Sequence, residues 1–99
     1  MDPQFPLPNG HRLEVFSTRW CPDCTRLKRW LAQRAVPYEE IDIDEDPGAA
    51  ERLERETGKR AIPFILVDGR NWVRGYHREH HLRLDGELLV RELALAMQG

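Results

Sequence analysis

Apolar and polar or small side chains alternate over Leu13 to Ser17 (LEVFS), a run rich in β-forming residues that predicts a strand. The period then lengthens. From Asp23 onward, Cys24, Leu27 and Leu31 fall on one helical face with Trp30 beside them, while Arg26, Arg29 and Arg34 point elsewhere; Pro22 suits the first turn and Pro37 is expected to end the helix. Tyr38 to Asp44 (YEEIDID) alternates again as a strand. Asp46-Pro47 reads as an N-cap followed by proline at the first helical position, opening a helix to Thr57 with Gly58 as its left-handed stop. Pro63 to Gly69 (PFILVDG) is an apolar run too short for a helix and bounded by proline and Asp-Gly. It predicts a buried strand and a hairpin, with Asn71 to Gly75 (NWVRG) as the returning arm. In Asp85 to Met97 the side chains Leu89, Val90, Leu93 and Met97 share one face, which predicts a closing helix packed on the sheet.

Composition adds bounds to this pattern. The 99 residues, 40% of them hydrophobic, suffice for one core and one domain. Pro3, Pro6, Pro8 and Asn9-Gly10 mark residues 1–11 as a flexible N-terminal arm, leaving 12–99 as the domain. No apolar stretch approaches the ~20 residues of a membrane span, and the first residues lack a basic region followed by an apolar one. A soluble, cytoplasmic monomer is expected. With 15 basic and 17 acidic side chains mixed along the chain, no global basic surface is available for nucleic acid. The acidic run Glu39 to Asp46 reads as a solvated strand face and helix cap.

The chemistry-bearing residues sit where the first strand turns into the first helix, in Cys21-Pro22-Asp23-Cys24. Two thiols three positions apart suit a structural disulfide, half a metal site or a redox pair. A four-residue loop gives little chain-entropy stabilisation, and a cytoplasmic compartment keeps thiols reduced, so the first use is disfavoured. His11, His77, His80 and His81 complete no zinc ligand set at finger-like spacing, so no metal is expected; histidines capping a helix end are the commoner use. The redox use fits the location. Disulfide exchange needs a thiolate, and unpaired amides at a helix start favour an anion at Cys21, which makes Cys21 the exposed attacking thiol. Cys24, one turn along, can close the ring as the buried resolving thiol. Pro22 constrains the loop. Asp23 favours the helix but opposes a neighbouring thiolate if its carboxylate reaches the sulfur; otherwise it points into solvent.

The element order β-α-β-α-β-β-α, with the cysteines at the first junction and a proline opening the third strand, is an α/β thioredoxin-fold layout around a four-stranded mixed sheet. The stretches LEVFSTRWCPDCTRLKRWL and PYEEIDIDEDPGAAERLERETGKRAIPFILVDG resemble the glutaredoxin family over roughly residues 12–76. The shared features are Cys-Pro-x-Cys after a strand, an acidic-ended second strand, a helix ending in Thr57-Gly58, and Ile62-Pro63 before a strand and Asp68-Gly69. The chain also resembles mycoredoxin-like proteins, and NWVRGY is similar to the Trp-Ser-Gly-Phe of glutaredoxin-like donors to ribonucleotide reductase.

The resemblance implies a thiol-disulfide oxidoreductase acting on protein disulfides or protein mixed disulfides. It implies no prosthetic group, and electrons from a low-molecular-weight thiol such as glutathione or from a thioredoxin reductase. It further implies a cis Pro63 facing the reactive sulfur, with Ile62 offering its backbone to an extended substrate. Thr18 stands where glutathione-using members commonly carry a lysine, and Arg74-Gly75 where they carry Gly-Gly before an aspartate. Substrate contacts are therefore expected from Arg19, Trp20, Pro22, Asp23, Arg60, Ile62, Pro63, Arg74 and Gly75, with Arg19, Arg60, Arg74 and Arg78 gathering around an anionic thiol substrate. The alternative is a thioredoxin-fold binding or sensing module whose cysteine pair switches without turnover.

Overall fold

The structure, a computed structural model, describes residues 10–98. Seven elements follow the expected order: β1 (Leu13–Ser17), α1 (Pro22–Gln33), β2 (Glu39–Asp42), α2 (Pro47–Thr57), β3 (Phe64–Val67), β4 (Asn71–Arg74) and α3 (Gly86–Gln98). The expected arm falls mostly on residues 1–9, outside the described residues. His11, at its end, bonds Asp68 Oδ2 through Nδ1 at 2.7 Å, and the Arg12 amide donates to Asp68 Oδ1 at 2.9 Å.

The strands form one mixed sheet in the order β2-β1-β3-β4, with β1 parallel to β2 and antiparallel to β3, and β4 antiparallel to β3. Pleating divides the side chains between two cores. Leu13 and Val15, with Ile65, Val67 and Val73 from neighbouring strands, meet Leu27 and Leu31 of α1 and Leu89 and Leu93 of α3. Phe16, Phe64 and Leu66 point the other way, to Leu53 of α2 and to Tyr76. β3 is buried on both faces, which explains why its sequence is continuously apolar. Among the described residues no helix is long and apolar enough to cross a membrane.

Two boundaries differ from the sequence expectation. β2 stops at Asp42, because the Asp42 carboxylate accepts from the Asp44 amide and turns the chain early. α1 ends at Gln33, well before Pro37: Ala35 takes φ 55°, and Val36 and Ala35 donate their amides to the carbonyls of Leu31 and Ala32 at 3.0 and 3.1 Å. This is a Schellman ending with alanine where glycine is usual. By contrast, the Asp46 side chain caps α2 by accepting from the Ala49 amide, and Gly58 closes that helix at φ 78°, both as expected. The β3–β4 turn carries Asp68 and Gly69 at φ 55° and 71°, the conformation that a tight hairpin demands.

Candidate functional site

β1 delivers the chain to the start of α1, where Cys21 is the N-cap residue and Pro22 the first helical position. A proline there loses no hydrogen bond, since that amide has no partner in a helix. The Cys24 amide donates to Cys21 Sγ at 3.1 Å, so the capping acceptor is a sulfur in place of the usual hydroxyl or carboxylate. Both thiols are free. Cys21 retains 6% of its surface and Cys24 none, so Cys21 is less open than expected, although it remains the accessible member of the pair. The Cys24 thiol is pushed up to about 12, first by burial and then by its hydrogen bond with Cys21; a backbone bond from Thr18 and the charge of Lys28 offset part of this.

The Asp23 carboxylate does not stand free in solvent. It is gripped by Arg83, Nε to Oδ1 at 2.9 Å and Nη2 to Oδ2 at 2.6 Å, and by Arg26 Nη1 on Oδ1 at 2.5 Å. These partners, the Arg83 hydrogen bond foremost, hold Asp23 below the usual carboxylate range. Arg83 lies on the segment between β4 and α3, and sequence reasoning passed over it. No local signal marks an arginine 60 positions from its partner.

The Ile62-Pro63 peptide bond, just before β3, is cis, as the family resemblance implied. Pro63 is buried, and its carbonyl accepts from the Gly75 amide at 2.9 Å, extending the β3–β4 ladder by one rung. Gly75 has no room for a side chain: a Cβ there would stand 2.6 Å from Leu27 Cδ2. Since Leu27 follows Cys24 by three residues on the inner face of α1, this contact seats the Pro63 step against the helix that carries the thiols.

The other anticipated contact residues have partners of their own. Trp20 is 68% exposed beside Cys21, and its indole N–H donates to Asp44 Oδ2 at 2.8 Å. Arg19 pairs with Glu45 and Asp42, Arg60 with Glu54, and Arg74 with Glu79 and Glu92. Arg74 and Arg78 also line a groove of about 880 Å³ beside β4 with Phe64, Trp72 and Tyr76; neither cysteine is among its lining residues. Thr18 is buried, its hydroxyl without a partner, so it takes no lysine-like place at the surface.

Of the histidines, His77 meets a helix end, at the start of α3. His77 is fully buried in the β4–α3 segment; its Nδ1 accepts from the Asp85 amide at 3.1 Å, which leaves Nε2 to donate to Glu92 Oε1 at 3.0 Å. His80 and His81 stack on each other. Among the described residues no three His, Cys, Asp or Glu side chains are grouped so as to hold a metal ion.

A helix-capping thiol, a second thiol one turn inside and a cis proline before the third strand of a four-stranded mixed sheet make up a thioredoxin-fold arrangement. The glutaredoxin family model matches residues 13–72. A glutaredoxin of Pseudomonas aeruginosa is 34% identical over 74 residues, covering 75% of this chain and 87% of that protein. The glutaredoxin-like protein NrdH of Lactococcus lactis subsp. lactis is 39% identical over 54 residues, covering 54% of this chain and 74% of its own length. Among solved structures, the thioredoxin-like protein BC3987 aligns with a TM-score of 0.62 at 29% identity, over 81% of this chain and 97% of its own. A buckwheat glutaredoxin–glutathione complex shares the fold with a TM-score of 0.62 at 24% identity, over 90% of this chain and 82% of that one. The chain belongs to the glutaredoxin family, whose members are generally thiol-disulfide oxidoreductases that need no prosthetic group and act with glutathione or a reductase.

Proposed function

We propose that this protein is a cytoplasmic dithiol oxidoreductase that reduces protein disulfides, or protein mixed disulfides with small thiols, through Cys21 and Cys24. The observation that carries the reading is the Cys24 amide on Cys21 Sγ at the head of α1, with the Cys24 thiol buried directly behind. The Cys21 thiolate attacks one sulfur of the substrate disulfide, forming a mixed disulfide and expelling the other sulfur as a thiolate, which takes up a proton. Cys24 then gives up its proton and attacks Cys21 Sγ. The second substrate thiolate leaves, and the two electrons delivered are balanced by the new Cys21–Cys24 disulfide. Ile62 and Pro63 provide the backbone wall along which an extended substrate lies, with Trp20, Pro22 and Gly75 bordering it. Arg19, Arg60 and Arg74 reach an anionic substrate by exchanging their present carboxylates for it.

The oxidised protein, offered glutathione with glutathione reductase or thioredoxin reductase with NADPH, is expected to regain two thiols with one of these systems and to turn over a disulfide substrate. Cys24→Ser should stall as a mixed disulfide on Cys21. Reduction without turnover would make the pair a switch in a sensing module and remove the enzymatic reading.

A further inference from the structure

The segment between β4 and α3 is built to present one arginine. Arg83 sits at φ 64°, a left-handed conformation that a side chain of its size seldom adopts. Its backbone is tied on both sides: the Arg83 amide donates to the His80 carbonyl and its carbonyl accepts from the His77 amide, each at 2.8 Å. Beneath it, the buried His77 ring bonds the Asp85 amide and Glu92, anchoring the segment to α3. The guanidinium projects from this support as a two-pronged fork onto Asp23, a geometry that fixes direction as well as distance.

Charge explains why such support is useful. A lone carboxylate two residues from a reactive sulfur disfavours the thiolate, yet one stands in the middle of this pair. Counted with Arg26, the Asp23 cluster carries one negative and two positive charges, so its net charge is positive. The Arg83 guanidinium is held protonated first by its hydrogen bond and ion pair with Asp23, with lesser contributions from Cys21 and Tyr76. The titratable and charged groups that interact with this cluster are Arg26 and Cys21 from the start of α1 and Tyr76 from the segment that carries Arg83; Cys24, buried behind, is acted on by Cys21 and Lys28.

We propose that Asp23 and Arg83 act as one positioning unit for Cys21: Asp23 holds the Arg83 guanidinium in the field of the sulfur, and Arg83 screens the Asp23 carboxylate from it. Neither residue then has an effect on Cys21 that is independent of the other. The proposal rests on Cys21 being the attacking thiol of the oxidoreductase described above.

The test is a double-mutant cycle on the intact chain, read as the pH at which iodoacetamide alkylation of Cys21, identified by peptide mapping, reaches half its maximal rate. Arg83→Gln removes one of the two positive charges of the cluster, leaving Asp23 paired with Arg26 alone, and should move this midpoint up by about one unit. Arg83→Lys keeps the charge and should stay close to the parent. Asp23→Asn in the parent removes a negative charge and releases a positive one, so its shift should be small; in the Arg83→Gln background it should bring the midpoint down by about one unit. Equal Asp23→Asn shifts in both backgrounds, or an Arg83→Lys shift as large as that of Arg83→Gln, would overturn the unit. Disulfide turnover of the parent is measured on the same preparation. Its absence removes the oxidoreductase reading, whereas turnover beside an additive cycle removes the positioning unit alone.

Discussion

At position 75 a single methyl group tests how closely the Pro63 step is packed against α1. The added carbon of Gly75→Ala would lie 2.6 Å from Leu27 Cδ2 and 3.2 Å from both Cγ and the carbonyl oxygen of Pro63. The leucine tip can rotate; the proline carbonyl, engaged with the Gly75 amide, cannot yield without moving the cis Ile62-Pro63 step. We expect a loss of about 1–3 kcal/mol in urea unfolding, with a fall in kcat/KM for disulfide reduction. Full stability together with full activity would show that the packing is looser than these contacts imply. The sequence already placed a glycine here but gave no hint of its contacts, which come from α1 and from the residue before β3. Asp23 teaches the same lesson: its position in the motif was plain, whereas its partner was set by the fold.

α1 stops where it does because Val36 is drawn into the core with Leu31, and the chain must turn left-handed at Ala35 to bring it there. A Cβ in that conformation costs energy that glycine does not incur, against some extra freedom of glycine in the unfolded chain. Ala35→Gly should therefore raise stability by about 0.5–1 kcal/mol, visible as a higher urea midpoint at unchanged slope; a lower midpoint would contradict the account. Asp46 is the complementary case: Asp46→Ala leaves the Ala49 amide without its acceptor and should cost about 1 kcal/mol by the same measurement. Elements were legible wherever local pattern decided them, as in β1, where alternation met β-forming residues, and in α2, where Asp46-Pro47 and Gly58 bracket the helix. They were less so where a tertiary contact overrode pattern. Ala35 carries no stop signal, and the segment from Gly75 to Asp85 has no period because a buried histidine and Glu92, 15 positions apart, organise it.

Over the whole molecule, carboxylates stitch together segments that are distant in sequence. Asp68 is held low chiefly by the Arg12 amide, Glu56 by the Trp72 indole and Asp23 by Arg83, while Asp85 is held low locally by the Leu88 amide at the start of α3. Each is depressed below an ordinary value of 3.8 for aspartate or 4.5 for glutamate, so each contributes stability that is complete above that value and disappears as pH falls through the folded one. Thermal melts should thus show a nearly constant Tm from about pH 7 to 5 and a fall below about pH 4.5; a Tm that held steady through that lower range would rule out these contacts as a common brace. The sheet has one further consequence, which concerns copies of the chain meeting each other. Among the described residues β2 is a border strand with its outer side unpaired in the sheet, and its first residues, Glu39 and Glu40, are exposed and lie beside Arg12 and Lys28. Two such borders approaching side by side would bring like carboxylates into register, a standing deterrent to cross-chain β-pairing and fibre growth. Replacing both glutamates with threonine, which favours strands and carries no charge, should leave the fold intact and promote concentration-dependent association by light scattering at neutral pH; scattering no greater than that of the parent would show that this border needs no charge to remain solitary.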